Sequence, residues 1–209
     1  MSIASDLMIV GGLSLVSGPT QEPLSVAEAA LHCKVDSSDD SPEMYALIVA
    51  AREHCESVLD RKLITQTWDY RMSGFPLYGA DLVLPYPPVS SITSVTYIDT
   101  AGASQTWPES SSGYAKYLPS GPQADFARIY PAYGVSYPAI RTQPGAVTVR
   151  FVCGYGAAGS DIPGAIRSAM LLLIGHWYIH REAVDTGINT VTSVVPFGVD
   201  PLLAPYRAG

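Results

Sequence analysis

Hydrophobic positions along the chain change period three times. Near the N-terminus, Ser25 and Glu28 have the spacing of a capping box, which predicts a short helix through about His32. Ser41 as N-cap and Pro42 at the first helical position begin a second helix. Met44, Leu47, Ile48, Ala51, Cys55, Val58 and Leu59 follow helical spacing along one face, and Arg61 and Lys62 at the end suit the helix dipole. From about Leu63 the period drops to two. Trp68, Tyr70 and Met72 alternate with polar residues, as do Val147, Val149, Phe151 and Cys153. Between them DLVLP, SITSVTYID and FARIY are separated by Pro- and Gly-rich turns, the pattern of an antiparallel β region.

Helical character resumes at Ile162. IPGAIRSAMLLLIGHWYIHREAV is apolar on nearly every side, so the helix must be buried on nearly every side. Ile166, Met170, Leu173, Ile174 and Trp177 are its candidate positions for packing against neighbours, one stripe serving the subunit's own core and another an adjoining subunit. The apolar tail VVPFGVDPLLAPYRAG then reads as extended, with Pro196, Phe197, Leu202, Leu203, Tyr206 and Arg207 as candidate partner-binding residues. Free tails of this kind lose more entropy on ordering, roughly 1–2 kcal/mol per residue, than their few apolar side chains return. A preformed groove on a partner or neighbouring copy would tip that balance, and removing the tail is expected to leave a folded protein. The fold class expected is α+β. Residues 1–24 form an N-terminal arm, 25–62 and 162–185 a helical bundle, 63–161 a β-rich insertion, and 186–209 an extended C-terminal tail.

Composition sharpens this picture. Charged residues are 15% of the 209-residue chain, against about 25% in ordinary soluble proteins, while 47% of residues are hydrophobic. Such a surface fits a chain that hides much of its outside in an assembly. The net charge of −7 argues against gripping nucleic-acid phosphates, although DNA passing without specific binding is compatible with it. Three widely spaced cysteines, Cys33, Cys55 and Cys153, read as reduced thiols rather than a disulfide framework. The N-terminus has no basic residue before Lys34, so no signal peptide is expected, and no apolar run of about 18 residues predicts a membrane span.

Candidate chemistry is sparse. GYGAAG, Gly154 to Gly159, matches the dinucleotide-binding glycine pattern after a strand. Asp161 and Pro163 nevertheless place the helix start beyond the third glycine, no βαβ unit follows, and Glu182 lies on or just after a helix. His176 and His180 have metal-ligand spacing, but Trp177 stands where a zincin base would. Asp36, Asp39 and Asp40 resemble a calcium loop, but Ser41 replaces its turn glycine and Leu47 its bidentate Glu. His54 and Cys55 project about 100° apart on a helix and form no ready dyad. No catalytic set, cofactor or metal is expected.

The combination EPLSVAEAALHCKVDSSDD, CESVLDRKLITQTWDY and LPYPPVSSITSVTYID resembles the head-tail connector (neck adaptor) family of tailed bacteriophages. RIYPAYGVSYPAIRTQPGAVTVRFVCGYG, IPGAIRSAMLLLIGHWYIHREAV and LLAPYRAG extend the resemblance from about Leu15 to Gly209. It implies a non-enzymatic virion protein with a helical bundle and a β-rich part, assembled in the host cytoplasm. Its partners would be a homo-oligomeric ring, usually of twelve copies, the portal protein above it, and a stopper or tail-completion protein below. Alternatives are another neck or stopper-like protein, a non-viral scaffold ring, or a cytosolic enzyme using Gly154–Gly159.

Overall fold

The computed structural model describes residues 11–35, 41–180 and 198–208. The protein is a mixed α/β chain in two compact units, each built from discontinuous segments. One unit comprises residues 1–18 and 65–154, the other 19–64 and 155–209.

The first unit is antiparallel β. Its strands are β1 (Gly11–Ser17), β2 (Gln66–Met72), β3 (Leu82–Leu84), β4 (Val89–Ile98), β5 (Ser104–Trp107), β6 (Tyr114–Tyr117), β7 (Ala127–Pro131) and β8 (Val147–Cys153). They form a five-stranded sheet in the order β1-β2-β8-β4-β5 and a three-stranded sheet in the order β3-β7-β6. Alternation explains the core. Val147, Val149, Phe151 and Cys153 of the central strand β8 are buried, while Thr148, Arg150 and Val152 between them are only partly covered. Met72 of β2 and Val95 of β4 share that inner face, and Leu82, Leu84 and Ile129 meet them from the smaller sheet. Phe75 stacks on Tyr137 (ring centroids 4.8 Å, 19°), and Trp107 lies 5.3 Å from the same tyrosine. The Tyr137 hydroxyl donates to the Ala80 carbonyl at 2.8 Å, and burial pushes its pKa up to about 12.

The opposite face of the large sheet carries an ion pair between half-exposed Arg150 and buried Asp69. Arg150 donates through Nε (2.7 Å) and Nη2 (2.9 Å) to the two carboxylate oxygens of Asp69, and Arg71 lies 3.6 Å away. The bidentate bond from Arg150 holds the buried Asp69 carboxyl below the usual aspartate range. A depressed folded-state pKa contributes stability above the unfolded value of about 3.9, lost as pH falls through the folded value. The stability difference between wild type and Asp69→Asn in urea titrations is therefore expected to be large at neutral pH and to shrink on acidification below about 4. A difference independent of pH would refute the assignment.

The second unit is helical, with α1 (Val26–Cys33), α2 (Ser41–Leu59), α3 (Gly164–Ile179) and α4 (Val199–Leu203). The capping box forms as its spacing predicts: Ser25 Oγ accepts from the Glu28 N–H at 3.1 Å, and a Glu28 oxygen accepts from the Ser25 N–H at 2.9 Å. Helix α3 is the axis of this unit, flanked by α1, α2 and α4. Met44, Ile48, Ala51, Cys55 and Leu59 of α2 and Ile166, Ala169, Met170, Leu173 and Ile174 of α3 share one core.

Three readings of the sequence need correction. Residues 1–24 are not one arm, because Gly11–Ser17 is a strand paired with β2, and Pro19 already belongs to the helical unit. The end of the chain is not an extended tail over residues 186–209. Residues Val199–Leu203 are helical and Ala204–Tyr206 a 3₁₀ turn, because Val199 and Leu203 bury themselves in the core beside α3. Residues 181–197, with Pro196, Phe197 and Glu182, lie outside the described residues. Finally, Ile166, Met170, Leu173 and Ile174 are fully buried within their own unit, so they offer no surface to a ring. Trp177, the fifth of the candidate positions, is half-buried, Leu171, Leu172 and Tyr178 are also only partly covered, and Ile179 is exposed.

Candidate functional site

The glycine turn after β8 is tied down by the chain's own carboxylate. The Ala158 N–H donates to Asp161 Oδ2 at 2.9 Å, so a carboxylate of the chain itself takes a backbone donor in the position where an anion would be cradled. A Cβ on Gly156 would stand 2.1 Å from the same oxygen, and one on Gly159 would stand 2.2 Å from the Pro23 carbonyl. Glycine is needed here for close approach of loop, carboxylate and neighbouring backbone.

Beside this turn, within the helical unit, lies an open groove of about 590 Å³ lined by Glu22, Ser25, Glu28, Tyr45, Ser160 and Arg167 among others. Its charges pair, although Arg167 Nε is buried with no hydrogen-bond partner. Arg167 pairs with Glu28, and Arg52, behind the groove, pairs with Glu22 at 2.8 Å. Capping of the Ser25 N–H, more than the pairing with Arg167, lowers the Glu28 carboxyl below its ordinary value.

The remaining candidates are structural in their surroundings. His176 and His180 bring their rings to 4.8 Å, but no group of three His, Cys, Asp or Glu able to hold a metal occurs among the described residues. Asp36, Asp39 and Asp40 lie outside the described residues. His54 packs edge-on to Trp177 at 6.1 Å, leaving Trp177 half-buried against the core. Burial pushes the Cys55 thiol up to about 12 and raises that of Cys33, the opposite of a nucleophile's requirement. No described helix is long and apolar enough to cross a membrane.

Of the C-terminal candidates, Leu203 is buried, Leu202 and Tyr206 are half-buried, and Arg207 is exposed and paired with Asp200 at 3.3 Å. The segment is anchored through its backbone. Arg61, buried after the end of α2, donates through Nε to the Tyr206 carbonyl at 2.5 Å, and the Ala208 N–H donates to the Leu59 carbonyl at 3.0 Å.

What the geometry leaves open is surface rather than a cleft, and the chain's likenesses point the same way. No protein-family model and no curated protein matches the chain. Solved structures do. A chain in the virion of a native gene transfer agent particle superposes with a TM-score of 0.70 at 24% identity, covering 94% of this chain and 95% of that one. A chain in the neck of the empty particle, computed with C6 symmetry, gives 0.71 at 24% identity, covering 95% and 96%. One in the neck of the native particle, computed with C12 symmetry, gives 0.70 at 25% identity over the same shares. This chain has the fold of those neck proteins.

Exposed apolar side chains missed in the sequence then gain interest. On the outer side of the small sheet, Val83 and Tyr117 both lie opposite Arg128, beside exposed Tyr130. On strand β1, Leu13, Leu15 and Val16 are exposed. The signal for β1 was present as the alternation of Leu13 and Leu15 with serines in GGLSLVS.

Proposed function

We propose that this protein is a structural subunit of the neck of a tailed-phage-like particle, a head-tail connector that forms a ring, of twelve copies, beneath the portal. The observation that carries the reading is fold likeness over nearly the full length, 95% of this chain and 96% of a chain in a particle neck. The rest agrees. The Cys33 and Cys55 thiols are raised rather than activated, and Arg167 and Arg52 at the groove each pair with a glutamate.

In this role the two units supply platforms rather than chemistry. Portal above and stopper or tail-completion protein below are the partners this reading assigns. The acidic balance of −7 leaves DNA free to pass without being held. The C-terminal segment takes part as a folded patch: Leu202, Tyr206 and Arg207 are the residues offered to the portal, while Leu203 serves its own core. Cryo-electron microscopy of particles from the producing cell, with mass spectrometry of their protein content, tests the reading. The chain is expected in intact particles as a symmetric ring under the portal. Absence from particles, or placement elsewhere in them, would end the proposal.

A further inference from the structure

Strand β1 is the edge of the five-stranded sheet, and its outer side has no strand partner among the described residues. All seven of its residues are exposed, including Leu13 at 37%, Leu15 at 51% and Val16 at 45%. Register shows what this exposure means. Leu13 stands opposite Tyr70 and Leu15 opposite Trp68, and these in turn stand opposite Val149 and Phe151 of the buried face. The apolar inner face of the sheet thus continues outward from β8, fully buried, through half-buried β2, to exposed β1, which no other described strand flanks. Soluble proteins blunt such edges with charges, prolines or bulges. Gly11–Ser17 contains no charge and no proline, and its one irregularity falls after Leu15.

Charge narrows the occupant. On the other face of the same edge, Arg71 and Arg150 are both exposed and share the single carboxylate of Asp69, leaving one positive charge beside Gly12 and Ser14. A partner with an acidic surface is favoured there, and this chain, at −7, is one.

We propose that the β1 edge is a docking surface for a second copy of this chain, which covers Leu13 and Leu15 and adds backbone hydrogen bonds to the open strand. The contact is heterologous, since a ring requires each subunit to present two different surfaces. The inference rests on the neck reading and gives its ring a specific surface.

A photoreactive benzoylphenylalanine at position 15, in chains assembled into particles, tests it. Irradiation is expected to yield an adduct of twice the chain's mass containing only this chain. An adduct with another particle protein, a product within one chain, or no adduct would overturn the inference. The double variant Leu13→Glu/Leu15→Glu supplies a second readout: with both side chains exposed its thermal midpoint should hold, while its incorporation into particles should fall below detection. Incorporation at the wild-type level would also overturn it. Detection of the wild-type chain in particles separates the two claims. If the chain is present without self-adducts, the edge contact alone fails; if it is absent, the neck reading fails with it.

Discussion

Glu56→Ala is expected to lower the unfolding free energy by about 3–5 kcal/mol, the cost of removing one partner from a buried ionic group. Glu56 lies near the end of α2, where a negative charge is disfavoured by the helix dipole, so its presence there needs a local cause. Three of its contacts supply that cause. Oε1 accepts from the buried Leu63 N–H at 3.0 Å, while Oε2 lies 3.1 Å from Lys62 Nζ and 3.5 Å from Arg52 Nη1. The backbone turns sharply at Asp60 (φ 52°), and this carboxylate ties the far side of the turn back to the helix. Without it, Leu63 keeps a buried N–H with no acceptor and Arg52 depends on Glu22 and the exposed Glu53. Glu56→Gln retains an amide oxygen for the Leu63 N–H and should recover part of the loss. Urea unfolding measures both. A loss under about 1 kcal/mol for the alanine variant, the range of exposed pairs, would show that the network contributes little.

That network also marks a limit of sequence reading. The apolar stripe of α2 was legible in Met44, Ile48, Ala51, Cys55 and Leu59, because one helix face repeats every three or four residues. Arg52 and Glu56 are buried on the same helix, yet nothing local reveals it, since their burial depends on Glu22 and Lys62. The Ser25–Glu28 capping box was legible for the converse reason: both partners lie within four residues. Alternation in β8 was legible too, since a strand buried on one face repeats every two residues, whereas its placement between β2 and β4 depends on contacts distant in sequence.

The candidate surfaces were misread where burial and its cause had to be separated. Apolar residues around α3 correctly signalled burial, but not whether the cover comes from the same chain or from a neighbour. Here α1, α2 and α4 supply it. The C-terminal segment, read as extended, contains Pro201 and Pro205. Pro201 instead occupies the first turn of α4, and Pro205 the start of the following 3₁₀ turn, where a missing N–H costs no helical hydrogen bond. A five-residue helix is too short to show a period.

This refolded end gives the second prediction, which reverses the expectation drawn from sequence. Deleting residues 199–209 is expected to unfold the helical unit rather than release an inert tail. Val199 and Leu203 are fully covered in the core, and burial of two such side chains is worth about 1.5–3 kcal/mol each. Deletion also removes the Tyr206 carbonyl that accepts from Arg61 Nε, leaving a buried guanidinium whose Nη1 already has no partner. Losing a hydrogen bond to a charged group adds about 1.5–3 kcal/mol. Against a total stability of about 5–15 kcal/mol for an ordinary domain, the sum is decisive. Leu203→Ala, the milder variant, should cost about 2–5 kcal/mol by leaving a cavity. Arg207→Ala should leave the fold intact, because the Arg207–Asp200 pair is exposed and worth at most about 1 kcal/mol. Calorimetry or circular dichroism of the three variants separates the roles. A truncated chain that unfolds at the wild-type temperature would show the segment to be dispensable to the fold. An Arg207→Ala protein that stays folded yet fails to join portal-bearing heads would assign the exposed side of the segment to the portal.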